Sequence, residues 1–369
     1  MTQNAYTERV VPFTAGDGMA LNLINIRGPQ APSKSPVLLV HGAGVRANIF
    51  RAPVERTIID ELIDAGYDVW LENWRASTDL PPSLWTLDQA AVYDHPFAVK
   101  KVIEETSAKS IKAIIHCQGS TSFTMSAIAG LVPEVETIIS NAVSSHPVVP
   151  KISEYKLKLA VPVVSAITDY LNPQWGIEAP TLFAKSLVGF VKLTHRECDN
   201  TVCRMISFTY GTGWPTLWLH ENLNDETHEW LKHEFKSVPL VFFKQIYQCV
   251  KAGHLLAAEK LAPLPQSFIE YPPKTQARFA FFAGEKNVCF LPESQRRAYQ
   301  YFCDHSDQKH SLHIIPDYGH LDIFMGKNAS KDVFPSMLAA LEPQAEQHKG
   351  ECDGHSSSNF SPAKSARAG

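Results

Sequence analysis

No stretch of this chain reaches the roughly 18 to 20 consecutive apolar residues that a membrane-spanning helix needs. The nearest, Leu157 to Leu171, is interrupted by Lys158, Pro162 and Asp169. An excess of one charge is also missing. Thirty-four basic against 38 acidic side chains leave a formal net charge of −4, so bulk charge suggests neither a nucleic-acid partner nor an anionic membrane surface. The segment Met1 to Val10 lacks a cationic start followed by an apolar run, so no secretory leader is read there. The seven cysteines (Cys117, Cys198, Cys203, Cys249, Cys289, Cys303 and Cys352) are odd in number and scattered. A disulfide framework is therefore not expected, and the default setting is reducing and cytoplasmic. Cys198 and Cys203 are the nearest pair, but their spacing is not a common zinc pattern and no second pair completes a tetrahedral set, so no metal is expected. There is no G-x-G-x-x-G segment for a flavin, no cofactor is expected, and no internal repeat is found.

What is present is a rhythm. Arg9 to Thr14 and Met19 to Arg27, joined through Gly16-Asp-Gly18, read as an antiparallel hairpin. Pro36 to Val40 is a continuous apolar run, as a parallel strand buried on both faces would be. Val54 to Ala65 reads as a helix stopped by Gly66, Tyr67 to Leu71 as a strand, and the stretch from Trp85 as a helix through Val99, Val102 and Ile103. Ile111 to Ile115 is a strand, Thr121 to Gly130 a helix and Val135 to Val143 a further strand. This alternation argues for an α/β class with a mostly parallel, doubly wound sheet. It fails between about Ser144 and Pro273, where helical stretches (Tyr155 to Leu171, Thr181 to Leu193, Thr227 to Gly253) are separated by aromatics and prolines. It resumes with Ala277 to Ala283, a helix from Glu293 to Tyr301, a last strand from His310 to Pro316 and a helix from Val333 to Leu341. The expected organisation is a core of 1–145 with 274–345, a helical lid of 146–273, and a polar, disordered tail of 346–369.

Three strand ends carry chemistry. The first strand to break sharply into a helix does so at His116-Cys-Gln-Gly-Ser120, a nucleophile-elbow pattern with Cys117 in the serine position and Ile115 in place of the usual first glycine. Ser120 is a poorer candidate, since it would fall inside the first helical turn. His41-Gly-Ala-Gly44 follows a buried strand and offers small residues whose backbone N–H groups can face an oxyanion, with Gly42 or Ala43 and Gln118 as the expected donors. Gly284-Glu-Lys-Asn287 and Tyr318-Gly-His-Leu-Asp322 follow in the order nucleophile, acid, histidine. The expected set is Cys117, His320 and Asn287, with a thiolate–imidazolium pair that a neutral amide suffices to orient. Asn287 has a plain alternative as a cap, Asp322 is a substitute carboxylate, and His41, His116 and His95 are candidates to support the site or merely to bond within the fold.

Tyr67 to Ser77, Tyr93-Asp-His-Pro96, His116 to Ser120, Gly284 to Ser294, Tyr318 to Asp322 and Gly326 to Ala329 together resemble the α/β-hydrolase domains fused to, or encoded beside, GMC-type (cholesterol-oxidase-like) oxidoreductases. His220 to His228 fits the same pattern. More distantly the chain is similar to acid lipases and polyhydroxyalkanoate synthases. The resemblance spans most of residues 35 to 342. It implies an α/β-hydrolase fold, a cysteine on the elbow and an asparagine at the acid position; a partner oxidoreductase or carrier protein is a separate expectation. The expected activity is acyl transfer through an acyl-Cys117 intermediate, from a small apolar ester, lactone or thioester. The alternatives are transfer or cyclisation onto an alcohol, amine or carbon acceptor, or a binding protein that keeps the pocket without turnover.

Overall fold

The computed structural model describes residues 6–211 and 216–343. The expected tail 346–369, the end of the core at 344–345, and Cys352 lie outside these. Eight strands form one sheet: β1 (Thr7–Thr14), β2 (Ala20–Arg27), β3 (Pro36–Val40), β4 (Asp68–Asn73), β5 (Ile111–His116), β6 (Val135–Asn141), β7 (Arg278–Gly284) and β8 (Ser311–Ile315). Their spatial order is β1-β2-β4-β3-β5-β6-β7-β8. The hairpin β1–β2 joins β4 antiparallel, and from β4 to β8 every pairing is parallel. All residues of β3, β4, β5 and β7 are buried, as expected of strands covered on both faces.

Parallel pairing puts the carboxyl ends of these strands on one edge, where open α/β sheets carry their sites. The register is close: His116 pairs with Asn141, Asn141 with Phe282, and Ile315 with Gly284. Chain segments leaving β5, β7 and β8 therefore emerge side by side. β5 lies between β3 and β6, and its Lys112 survives burial because Nζ donates to the Leu341 carbonyl at 2.6 Å and lies 3.4 Å from Glu136. Ile115, anomalous beside the elbow pattern, pairs with Val40 and Ser140 as an ordinary core strand residue. The turn begins two residues later, so nothing there demands glycine.

Three helices flank this half: α1 (Ile58–Asp64), α2 (His95–Thr106) and α3 (Cys117–Ile128). α1 starts four residues later than its periodicity suggests, because Thr57 caps it in a capping box with Asp60. α3 starts at Cys117 itself, and all twelve of its residues are buried. Its hydroxyls bond inward, Thr121 to the Cys117 carbonyl and Ser126 to the Ala91 carbonyl.

Between β6 and β7 the chain forms α4 (Lys151–Ser165), α5 (Leu182–Thr194), α6 (Thr201–Tyr210), α7 (Asp225–Glu234) and α8 (Leu240–Ala252). The single helix expected over Thr227 to Gly253 is two, parted where Val238 and Pro239 pair with Leu171 and Tyr170. α6 escaped the sequence pattern. Its apolar stripe is blurred because Ser207 and Thr209 are buried along with Val202, Met205 and Ile206. The chain closes with α9 (Glu293–His305) and α10 (Phe334–Leu341).

Candidate active site

Cys117 occupies the corner between β5 and α3 at φ +55°, in the left-handed region that a residue with a Cβ enters only at a cost. The buried strand and the buried helix on either side hold it there. The backbone N–H groups of Gln118 and Ala43 lie beside its sulfur and favour negative charge there. The first comes from the N-terminal turn of α3, whose free N–H groups favour negative charge. The second comes from the turn after β3. Of the two donors expected in that turn, Ala43 is the one that points inward. Gly42 supplies room instead: a Cβ there would stand 2.9 Å from the Cys117 Cβ. Tyr210 of α6 holds the turn in place by donating from its hydroxyl to the Ala43 carbonyl at 3.0 Å.

The structure brings His320 and Asn287 to the same place. Donor atoms of Cys117, His320 and His116 all lie within 4.8 Å of one another. Asn287 Nδ2 lies 3.1 Å from His320 Nδ1, while its Oδ1 accepts from the backbone N–H of Cys289 at 3.0 Å and of Phe290 at 3.2 Å. Those two bonds decide which way the amide faces. An NH2 group only donates, so His320 Nδ1 must accept and its proton sits on Nε2. Burial lowers the His320 ring to about 3. Burial pushes the Cys117 thiol up to about 12 despite the two N–H donors. The thiolate–imidazolium pair expected from the sequence is therefore corrected: thiol and imidazole both rest neutral. An imidazolium would set a second N–H against the Asn287 amide, so the same side chain that orients the ring opposes its charging. One consequence is measurable. Alkylation of Cys117 by iodoacetamide, followed by peptide mass mapping, should accelerate about tenfold per pH unit from pH 7 to 10, with no plateau. A plateau beginning below pH 7 would show that the ion pair exists after all.

Asp322 does not reach the histidine. It accepts from the Gly319 N–H and from Asn222, bracing the 317–322 loop, and burial pushes it up to about 6. The substitute-carboxylate role is thus corrected. His116 packs its ring 4.7 Å from that of His320 and accepts at Nδ1 from Asn141. His41 bonds its own turn at the Gly42 carbonyl, 2.6 Å away. His95 lies between Glu72 and Ser122, at 2.9 and 2.7 Å. That chain has the residue types of a hydrolytic triad but is sealed between β4, α2 and α3. Ser120 bonds Ser140 at 2.8 Å and faces the core.

Cys117 and Gln118 form the floor of a cavity of about 50 Å³, walled by Val149, Leu157, Leu171, Phe243, Ile246 and Phe290 among others. A second, much smaller space of about 10 Å³ lies on the other side of the sulfur, against His320 and Leu217. Most of the larger wall comes from the 146–273 insertion, with the half-buried Lys156 among its residues. Its ammonium donates to the Phe208 and Gly211 carbonyls, and burial lowers it to about 7. Sequence alone gave no sign of Lys156 or Tyr210 here; Tyr210 lies 167 residues from Ala43, and helix packing alone joins them.

One further expectation is corrected. Cys198 and Cys203 do have a second pair, His220 and His228, whose donor atoms stand with theirs inside 4.8 Å.

No protein-family model matches the chain. Over 358 residues it is 24% identical to lipase member K of Homo sapiens, an alignment covering 89% of this chain and 86% of that one. Over 363 residues it is 22% identical to triacylglycerol lipase 1 of Arabidopsis thaliana, covering 90% and 86%. Among solved structures, a thermophilic esterase from Thermogutta terrifontis superposes with a TM-score of 0.53 at 17% identity, covering 90% of this chain and 98% of that one.

Proposed function

From an α/β-hydrolase fold similar in sequence to lipases, we propose that this chain is a hydrolase that takes the acyl group of an apolar ester, lactone or thioester onto Cys117. The observation that carries this reading is Cys117 held at a left-handed elbow under an apolar cavity, with His320 close by and the Gln118 and Ala43 N–H groups beside its sulfur. Two donors fixed before the reaction are what a developing oxyanion needs. The apolar wall of the larger space suits the acyl chain, which would widen it by displacing side chains of the insertion. The outer faces of the insertion expose Ile152, Tyr155, Leu159, Val163, Leu182 and Leu193, a pattern that suits substrate drawn from an apolar phase.

In the acylation step the sulfur bonds the carbonyl carbon and the thiol proton passes to His320 Nε2. From there it goes to the departing alkoxide or thiolate as the C–O or C–S bond breaks. Water, deprotonated by His320, then cleaves the acyl-thioester, and the released thiolate recovers the proton. An alcohol, amine or carbon acceptor in place of water would give transfer or cyclisation. Nε2 must first lose its resting proton to Nδ1, which requires the Asn287 amide to turn and release Cys289 and Phe290. Acylation is therefore gated by a side-chain rotation.

That gate also supports a second reading, a pocket that binds an apolar acyl group without turning it over. The two separate in one experiment. Incubation with a series of p-nitrophenyl esters and acyl-CoAs, followed by intact-mass measurement, should show a single acyl adduct that is absent from Cys117→Ala. An adduct surviving in Cys117→Ala sinks the first reading. Binding without any adduct leaves the second.

A further inference from the structure

We propose that Cys198, Cys203, His220 and His228 form a structural zinc site within the insertion, independent of the chemistry at Cys117. The four residues come from four segments: the loop after α5, the first turn of α6, the 3-10 turn His220–Asn222 and the first turns of α7. Cys198 Sγ lies 3.4 Å from His228 Nε2, and Cys203 Sγ lies 3.5 Å from His220 Nε2. All four donor atoms fall within 4.8 Å of one another. Tetrahedral zinc with bonds of about 2.3 Å to sulfur and about 2.05 Å to nitrogen sets sulfur and nitrogen roughly 3.5 Å apart. The observed cross-pairs have that spacing. Two thiolates and two neutral imidazoles also balance a divalent charge, which suits a half-buried place. The Asn200 N–H points at Cys198 Sγ at 3.3 Å, a bond that steadies a metal-bound thiolate.

Zinc here would tie together a region that braces the histidine loop. Leu217 and Asn222, just before and within the 3-10 turn, bond the 317–327 segment at four places: Leu321 N–H to the Leu217 carbonyl at 2.7 Å, Asn222 Nδ2 to Asp322 at 2.7 Å and to the Asp317 carbonyl at 2.8 Å, and Lys327 N–H to the Asn222 carbonyl at 2.8 Å. The sequence spacing Cys-x4-Cys-x16-His-x7-His conceals the set. The two histidines straddle a turn and a helix start instead of sharing one helix.

The test uses the full chain purified without chelator. Elemental analysis should find one zinc per chain, and competition against a chromophoric chelator should give a single strong site. Cys203→Ser should weaken that site roughly 100-fold or more. Replacing zinc by cobalt should give the intense visible bands of tetrahedral cobalt and a near-ultraviolet thiolate band. In Cys198→His, which keeps four donors, the metal should stay while the thiolate band falls by about half; this readout distinguishes ligation from misfolding. Cys117→Ala should keep its zinc, because the other close donor group among the described residues, His116, Cys117 and His320, is the proposed acyl site. Loss of zinc in Cys117→Ala, absence of stoichiometric metal after titration with zinc alone, or a Cys198–Cys203 disulfide in the metal-free chain would each overturn the proposal. None of these outcomes depends on turnover.

Discussion

Cys117→Ser is expected to lower acyl transfer by roughly 10³-fold or more, and adding Asn287→Asp to that variant is expected to restore at least about tenfold of it. The first loss follows from acidity and charge. A hydroxyl is far less acidic than a thiol, and an amide at 287 gives no charge to stabilise the imidazolium that a serine would form. An aspartate at 287 would keep the two bonds that Asn287 Oδ1 now accepts from Cys289 and Phe290. Its second oxygen would accept Nδ1–H. That moves the histidine proton to the far nitrogen and stabilises the imidazolium. Asn287→Asp in the cysteine background carries a further test with the same cause: alkylation of Cys117 at pH 7 should become faster than in the parent chain. Steady-state rates on the best ester, with alkylation rates at fixed pH, check both. Equal inactivity of Cys117→Ser and Cys117→Ser/Asn287→Asp, with no gain in alkylation for Asn287→Asp, would show that the amide does not set the tautomer.

Gly284→Ala should destabilise the fold by about 3 kcal/mol and cut turnover by about 10²-fold. A Cβ on Gly284 would stand 2.1 Å from the Gly319 carbonyl oxygen and 2.3 Å from that of Tyr318. Both are backbone atoms, so no side chain can swing away. β7 and the loop carrying His320 would have to separate. That loop is tied here by Lys286 N–H to the Tyr318 carbonyl and Glu285 N–H to the Ile315 carbonyl, each at 2.8 Å. The strand end places Asn287 and the loop places His320, so one added methyl group should disturb stability and geometry together. Gly189→Ala is the control. A Cβ there meets nothing within 4 Å, and in mid-helix the change should gain up to about 1 kcal/mol. Denaturant midpoints and esterase rates for the pair decide the matter. A Gly284→Ala protein as stable as the parent would contradict the packing argument.

The parallel sheet was legible because it is local in sequence. Buried strands on both faces read as unbroken apolar runs, and Pro36–Val40 and Ile111–His116 fall close to where those runs lie. The corner residues were legible for the same reason. A strand that ends in small or polar residues and turns at once into a helix marks its own carboxyl end. Cys117, Asn287 and His320 needed only the rule that parallel strands end on one edge to be placed together. The insertion was less legible. Buried Ser207 and Thr209 interrupt the apolar stripe of α6, and the break between α7 and α8 depends on a pairing with Tyr170 and Leu171 far back along the chain.

By itself, then, the sequence determined the layered sheet, the elbow and the identity of three side chains at its edge. Only the tertiary structure decided their state. Whether the thiol is charged depends on how completely the insertion covers it. Which nitrogen of His320 holds the proton depends on two backbone N–H groups beside Asn287. Whether Cys198 and Cys203 are a stray pair or half of a metal site depends on where a turn and a helix start place two histidines. Burial, hydrogen-bond direction and the meeting of distant segments are properties of space, and no local pattern of residues records them.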